Sequence, residues 1–290
     1  MKKVIIQILK ALAYFAVYFV TSNVVTFIAG FILSFIRATQ DSAAGLSREE
    51  GLAAFTAELN SYTGICLAIS AVLTLLIYFI IEKVKKSSLA KETDMKKVSG
   101  KQMALTVVGA LGGMIFLNFI LSILPIPKEL MGDLSTGMGK LTSYPFWQAI
   151  LANCLLVPVI EEVVFRGYIF SRLEKAMPSV VAAIISSLAF GIVHGGVLWA
   201  IWAFVLGMLI CVVRIKSGSI IPGMIFHIIM NTFAMVVSYY PVLSGMTETV
   251  MYILTAVGGI LVAVYVAGIL MDKSDLEKSK TDVRISSVNS

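Results

Sequence analysis

Residues Val157 to Tyr168 read V-P-V-I-E-E-V-V-F-R-G-Y. Two adjacent carboxylates and an arginine stand in a run that is otherwise apolar and stays apolar on both sides. An ionisable group at the centre of a membrane helix costs at least about 2.5–3.5 kcal/mol, so it needs a partner or a task. Helical spacing separates the two acids. Glu162 and Arg166 are four apart, on one face, where they can pair. Glu161 lies about 140° round from Arg166 at about 100° per residue, and on that spacing the arginine does not neutralise it. One acid reads as structural and the other as available for chemistry.

The surroundings of this stretch set the class. The chain has 290 residues, 58% of them hydrophobic and 14% charged, with a mean hydropathy of +0.92. A soluble domain carries about a quarter charged residues, and several runs here reach the roughly 20 apolar residues that a spanning helix needs. The alternating segments of about ten residues that mark a membrane barrel are absent. The composition therefore predicts an all-α, polytopic membrane protein of about eight transmembrane helices. The net charge of +6 comes from lysines in loops between apolar runs, a topological pattern rather than a nucleic-acid surface. Cys66, Cys154 and Cys211 fall in apolar stretches without ligand spacing and read as small buried hydrophobes.

In chain order the spans are expected at about 12–36, 62–81, 103–124, from 146 through the Glu-Glu-Arg cluster, 179–194, 197–213, 220–240 and 250–271. The N-terminal run begins M-K-K but shows no small-residue cleavage site, so it reads as a retained first helix. The segment 37–60 is polar, 128–145 reads as a Gly-rich loop, and 83–101 is strongly basic. The chain divides into three N-terminal spans with their loops (1–145), a five-helix catalytic region (146–271) and a polar tail (272–290). With eight spans, 19 Lys and Arg lie on the side of the N-terminus and 4 on the other, Arg37, Arg48, Lys128 and Lys140. That asymmetry predicts both termini in the cytoplasm.

Both histidines of the chain, His194 and His227, fall in apolar spans, and Asn231 follows His227 by four residues, on the same helical face. If spans four and five turn near Met177, Glu161 and His194 lie about 24 and 26 Å from the turn, so they can sit level. His227 lies roughly 11 Å from the cytoplasmic end of its span. A carboxylate and an imidazole can hold and deprotonate a water. A second imidazole and an amide can donate to the oxyanion formed when water attacks a carbonyl. The same donors suit zinc, with Glu161, His194 and His227 as ligands, although the H-E-x-x-H helix of standard zinc peptidases is absent. The chemistry expected is hydrolysis of an amide within the membrane, with or without a metal.

Three segments carry a family resemblance: E-E-V-V-F-R at Glu161 to Arg166, F-G-I-V-H at Phe190 to His194, and H-I-I-M-N at His227 to Asn231. They resemble the three motifs of the CAAX prenyl endopeptidase family, which takes in bacteriocin-processing and Abi-type membrane proteases of bacteria. The resemblance covers about 148–239. It implies an eight-helix intramembrane endopeptidase that cuts near the C-terminus of a peptide or protein, prenylated or not, on the cytoplasmic side; the short loops suggest a bacterial membrane. By position Glu161 corresponds to the water-activating glutamate and His194 to its partner. His227 and Asn231 correspond to the oxyanion pair, with Glu162 and Arg166 in support. Phe165, Phe190 and Phe226 flank these positions and read first as helix packing, with a prenyl-binding groove as the second reading. Beside the enzyme stand two other readings, a non-catalytic membrane scaffold and a transporter. Intact motifs weigh against the first, and the lack of an inverted repeat against the second.

Overall fold

The structure, a computed structural model, describes residues 2–240 and 245–271, except for the side chains at 43, 121–122, 133–134, 138, 140–141 and 269–271. The polar tail expected at 272–290 lies outside the described residues. All regular structure among them is helical. The elements are α1 (Lys2–Ala44), α2 (Arg48–Ser61), α3 (Thr63–Val84), α4 (Leu89–Glu92), α5 (Gly100–Ile123) and α6 (Lys128–Leu141). They are followed by α7 (Phe146–Glu174), α8 (Ser179–Ile192), α9 (Val197–Ser217), α10 (Ile221–Tyr239) and α11 (Glu248–Met271). Seven of these are long and apolar enough to cross a membrane, and α8 is a shorter apolar helix. The protein is an all-α, polytopic integral membrane protein.

Three boundaries differ from the sequence reading. Helix α1 continues 43 residues, about 65 Å at 1.5 Å per residue: it holds no proline, and apolar neighbours carry Gly30 through. Gly45 takes a left-handed φ of +67°, which ends the helix. The polar segment after it forms α2, opened by a reciprocal capping box between Ser47 and Glu50. Arg37 near the end of α1 pairs with Glu58 of α2 at 3.2 Å. The Gly-rich segment 128–141 is a helix rather than a loop, because apolar residues at 130, 134, 138 and 141 recur at helical spacing. Helix α8 has 14 residues, about 21 Å, short of the roughly 30 Å hydrocarbon core. It ends at Gly195 and Gly196, both at positive φ (+67° and +61°), and the short turn sets α8 antiparallel to α9.

Helix α7 is the centre of the bundle. Every residue from Glu162 to Phe170 is buried, covered by α1 on one side and α8 on another. Its winding is unusual, with π-helical turns at Ile150–Leu156 and Glu162–Phe170. Pro158 has no N–H to give to the turn before it. The chain accommodates this by widening, with the Val157 N–H reaching back five residues to the Ala152 carbonyl.

The basic stretch 83–101 is not wholly free at a membrane surface. Asp94 accepts from Arg214 of α9 at 2.6 Å and from Lys96 at 2.7 Å, and its carbonyl accepts the Ile220 N–H. Ser219 donates to the Lys96 carbonyl at 2.7 Å, and Glu92 pairs with Arg172 of α7. Gly167 of α7 leaves room for Thr93, whose Cβ lies 2.7 Å from where a Cβ on the glycine would stand. The stretch thus ties α3 and α5 to α7, α9 and α10.

Helices α5 and α11 make the closest pair, through small residues on both. A Cβ at Gly258 would overlap the Phe116 backbone nitrogen and stand 2.8 Å from its Cα. Backbone cannot step aside as a side chain can. Gly258→Ala should therefore destabilise the folded protein by about 1–3 kcal/mol or more, read as a lower melting temperature in detergent. Gly100→Ala, where the space is open, should melt like the parent.

Candidate active site

Glu161 closes the α-helical turn Val157–Glu161, and Glu162 opens the second π-helical segment. Glu162 still pairs with Arg166, Nη1 to Oε1 at 2.9 Å, with both side chains fully buried. Arg166 also donates to the Gly207 carbonyl of α9 at 3.1 Å and lies 4.5 Å from the centroid of Phe190. The guanidinium is held on three sides by groups that stabilise a cation.

His227 of α10 meets both acids. Its Nδ1 lies 3.0 Å from Glu162 Oε1, and its Nε2 lies 3.7 Å from Glu161 Oε2. Helix α10 can come this close because Gly223, one turn earlier, has no side chain: a Cβ there would stand 3.2 Å from Glu162 Oε2 and 2.9 Å from Ile210. The sequence reading gave one acid to Arg166 and the other to water. The structure instead sets one imidazole against both. Tyr18 of α1 supplies a contact that spacing within the motifs could not show, its hydroxyl lying 3.4 Å from Glu161 Oε1.

The remaining candidates stand further off. His194 lies in the turn just past α8 rather than within the helix, is half-buried, and turns Nδ1 to the Phe190 carbonyl at 2.7 Å. Phe190 lies between the two histidines, with ring centroids 4.6 Å from His194 and 5.6 Å from His227. Asn231 donates to the Asn153 carbonyl of α7 at 2.9 Å, and the Asn153 amide in turn donates to Tyr144. The structure thus gathers Glu161, Glu162, Arg166 and His227, places His194 behind a phenyl ring and ties Asn231 to the first π-helical segment. Phe165, Phe190 and Phe226 are buried in the packing.

The zinc set was expected at Glu161, His194 and His227. Among the described residues no three His, Cys, Asp or Glu side chains come together closely enough to hold a metal ion. Cys66, Cys154 and Cys211 are free and buried, as expected.

Residues 143–233 match the model of the family described as Type II CAAX prenyl endopeptidase Rce1-like. A Bacillus subtilis (strain 168) protein named "Putative membrane peptidase YdiL" is 26% identical over 111 residues, 38% of this chain and 46% of that protein. The Lactococcus lactis subsp. lactis (strain IL1403) "UPF0177 protein YxdF" is 29% identical over 120 residues, 40% of this chain and 66% of that protein. The chain thus spans between about half and two thirds of the curated relatives it matches. No solved structure matches it. The matched segment holds both glutamates, Arg166, both histidines and Asn231, and over it the chain is similar to the type II CAAX prenyl endopeptidases.

Proposed function

We propose that the protein is an intramembrane endopeptidase in which Glu161 activates a water against a peptide carbonyl. The observation that carries this reading is the imidazole of His227 held between two buried carboxylates. Glu162, itself anchored by Arg166, fixes the ring through Nδ1 and leaves Nε2 toward Glu161. The 3.7 Å between Nε2 and Glu161 Oε2 is too long for a direct hydrogen bond, and both atoms can reach one water beside them.

The chemistry then follows in balance. Glu161 takes a proton from the water as its oxygen bonds to the carbonyl carbon, and the C=O electron pair moves to the oxygen. Nε2–H of His227 and the second amide N–H of Asn231 are the donors for that oxyanion. The carbon–nitrogen bond breaks as Glu161 passes the proton to the leaving amine. His194, whose Nδ1 is occupied by a carbonyl, keeps Nε2 as the basic nitrogen to partner Glu161 when substrate parts the helices. Zinc held by Glu161, His194 and His227 would need those side chains to draw together.

The substrate in this reading is a peptide or protein, lipid-modified or not, reached from the cytoplasmic side of a bacterial membrane with both termini of the chain in the cytoplasm. The bacterial sources of both relatives support the setting. Bacteriocin maturation, self-immunity and peptide-signal processing are the pathways that need such a cut. A scaffold that keeps the fold without turnover is the competing function.

The deciding experiment is elemental analysis and peptidase assay on one purified sample, before and after chelation. Activity that survives without stoichiometric metal supports direct base catalysis by Glu161. Zinc and activity lost together overturn that step, and a well-folded sample that cleaves no peptide favours the scaffold.

Substitutions separate chemistry from support. Glu161→Ala, His194→Ala and His227→Ala should abolish cleavage in a protein that still elutes as a folded monodisperse species. Asn231→Ala should lose on the order of 10²–10³ in kcat. Arg166→Ala should instead cost about 3–5 kcal/mol of stability, because it strands Glu162 in a dry place. Replacing both with apolar residues, Glu162→Leu with Arg166→Met, should recover much of the folded yield in size-exclusion chromatography.

A further inference from the structure

Helix α1 lies outside the segment that matches the family, 143–233, yet it reaches the site. Two tyrosines one turn apart on it each meet a buried glutamate. Tyr14 donates to Glu82 of α3 at 2.8 Å, stacks on Tyr168 of α7 with ring centroids 3.8 Å apart, and offers its carbonyl to the Tyr78 hydroxyl at 2.6 Å. Lys85 completes that cluster, donating to Tyr14 and to both oxygens of Glu82. These bonds fix α1 against α3 and α7 one turn before Tyr18. Tyr18 then packs edge-on against Phe165, with centroids 6.1 Å apart, and directs its hydroxyl at Glu161 Oε1, 3.4 Å away.

We propose that Tyr18 is a positioning residue for Glu161. Its hydroxyl holds Oε1, so that Oε2 is the oxygen presented toward His227. The inference rests on the hydrolytic reading above and adds to it a residue from the N-terminal helices. At 3.4 Å the contact is longer than the usual 2.7–2.8 Å for an O–H···O bond, and such bonds tighten when the reacting complex forms. A tyrosine with a packing role alone would be replaceable by phenylalanine, which keeps the ring against Phe165.

Tyr18→Phe and Tyr14→Phe form a matched pair, each removing one hydroxyl from the same face of α1. In the purified full chain assayed with a pool of internally quenched peptides, Tyr18→Phe should lower kcat about tenfold or more. KM and melting temperature should stay near the parent's. Tyr14→Phe should lower the melting temperature and leave kcat of the folded fraction unchanged. A second readout needs no turnover: modification of Glu161 by dicyclohexylcarbodiimide, followed by mass spectrometry. Labelling should rise several-fold in Tyr18→Phe and not in Tyr14→Phe, as the held oxygen is released. Unchanged kcat with unchanged labelling would overturn the assignment, as would kcat falling only in step with the melting temperature. If the parent protein cleaves no peptide but Tyr18→Phe raises labelling, the hydrolytic reading fails while the hold on Glu161 stands.

Discussion

The fold depends on keeping one guanidinium charged in a place without water. Moving an ion into a protein interior costs several kcal/mol even after relaxation, and Arg166 is fully buried at the middle of the bundle. Glu162 supplies the countercharge, Gly207 a carbonyl and Phe190 a ring face. Each comes from a different place: α7 itself, α9 and α8. Two glycines make that convergence sterically possible, Gly207 beside the Arg166 guanidinium and Gly223 beside the Glu162 carboxylate. The packing of α8, α9 and α10 around α7 is thus the solvation shell of one ion pair.

That shell also serves a second purpose. Glu161 closes an α-helical turn and Glu162 opens the second π-helical segment, with right-handed helical backbone at both. Adjacent residues there still diverge, and one imidazole reaches both by using the two edges of its ring. Widened segments recur at functional sites, and here they stand on either side of the α-helical turn that holds Pro158.

Most of the fold was legible because apolar length and loop charge are physical requirements of a bilayer. Seven helices lie where long apolar runs predict spans, and Glu162 pairs with Arg166 as their spacing requires. Less legible were the ends of elements and the contacts between helices. A span cannot be told from a longer helix when polar residues such as those at 37–44 continue it without a breaker, so α1 was cut short. Glycines at 132, 137 and 139 outweighed the helical recurrence of apolar positions in α6. Spacing within one helix does not show that His227 meets both acids, because the contact depends on how α10 packs against α7. Tyr18 carried no local signal at all: its partner lies 143 residues away.

That last distance bears on what the matched segment contains. The boundary at residue 145 divides the sequence by motif, and the packing crosses it. The buried face of α7 from Glu162 to Phe170 is closed by α1, with Tyr14 stacked on Tyr168. The turn around Thr93 and Asp94 is closed onto Gly167 and Arg214. Stripped of these neighbours, Tyr168 would lose both its stacking partner and the Glu82 carboxylate that accepts its hydroxyl at 3.1 Å, leaving a buried polar group unpaired at a cost of about 1–3 kcal/mol. The residues that resemble the family's motifs therefore hold their geometry through helices that the resemblance does not cover.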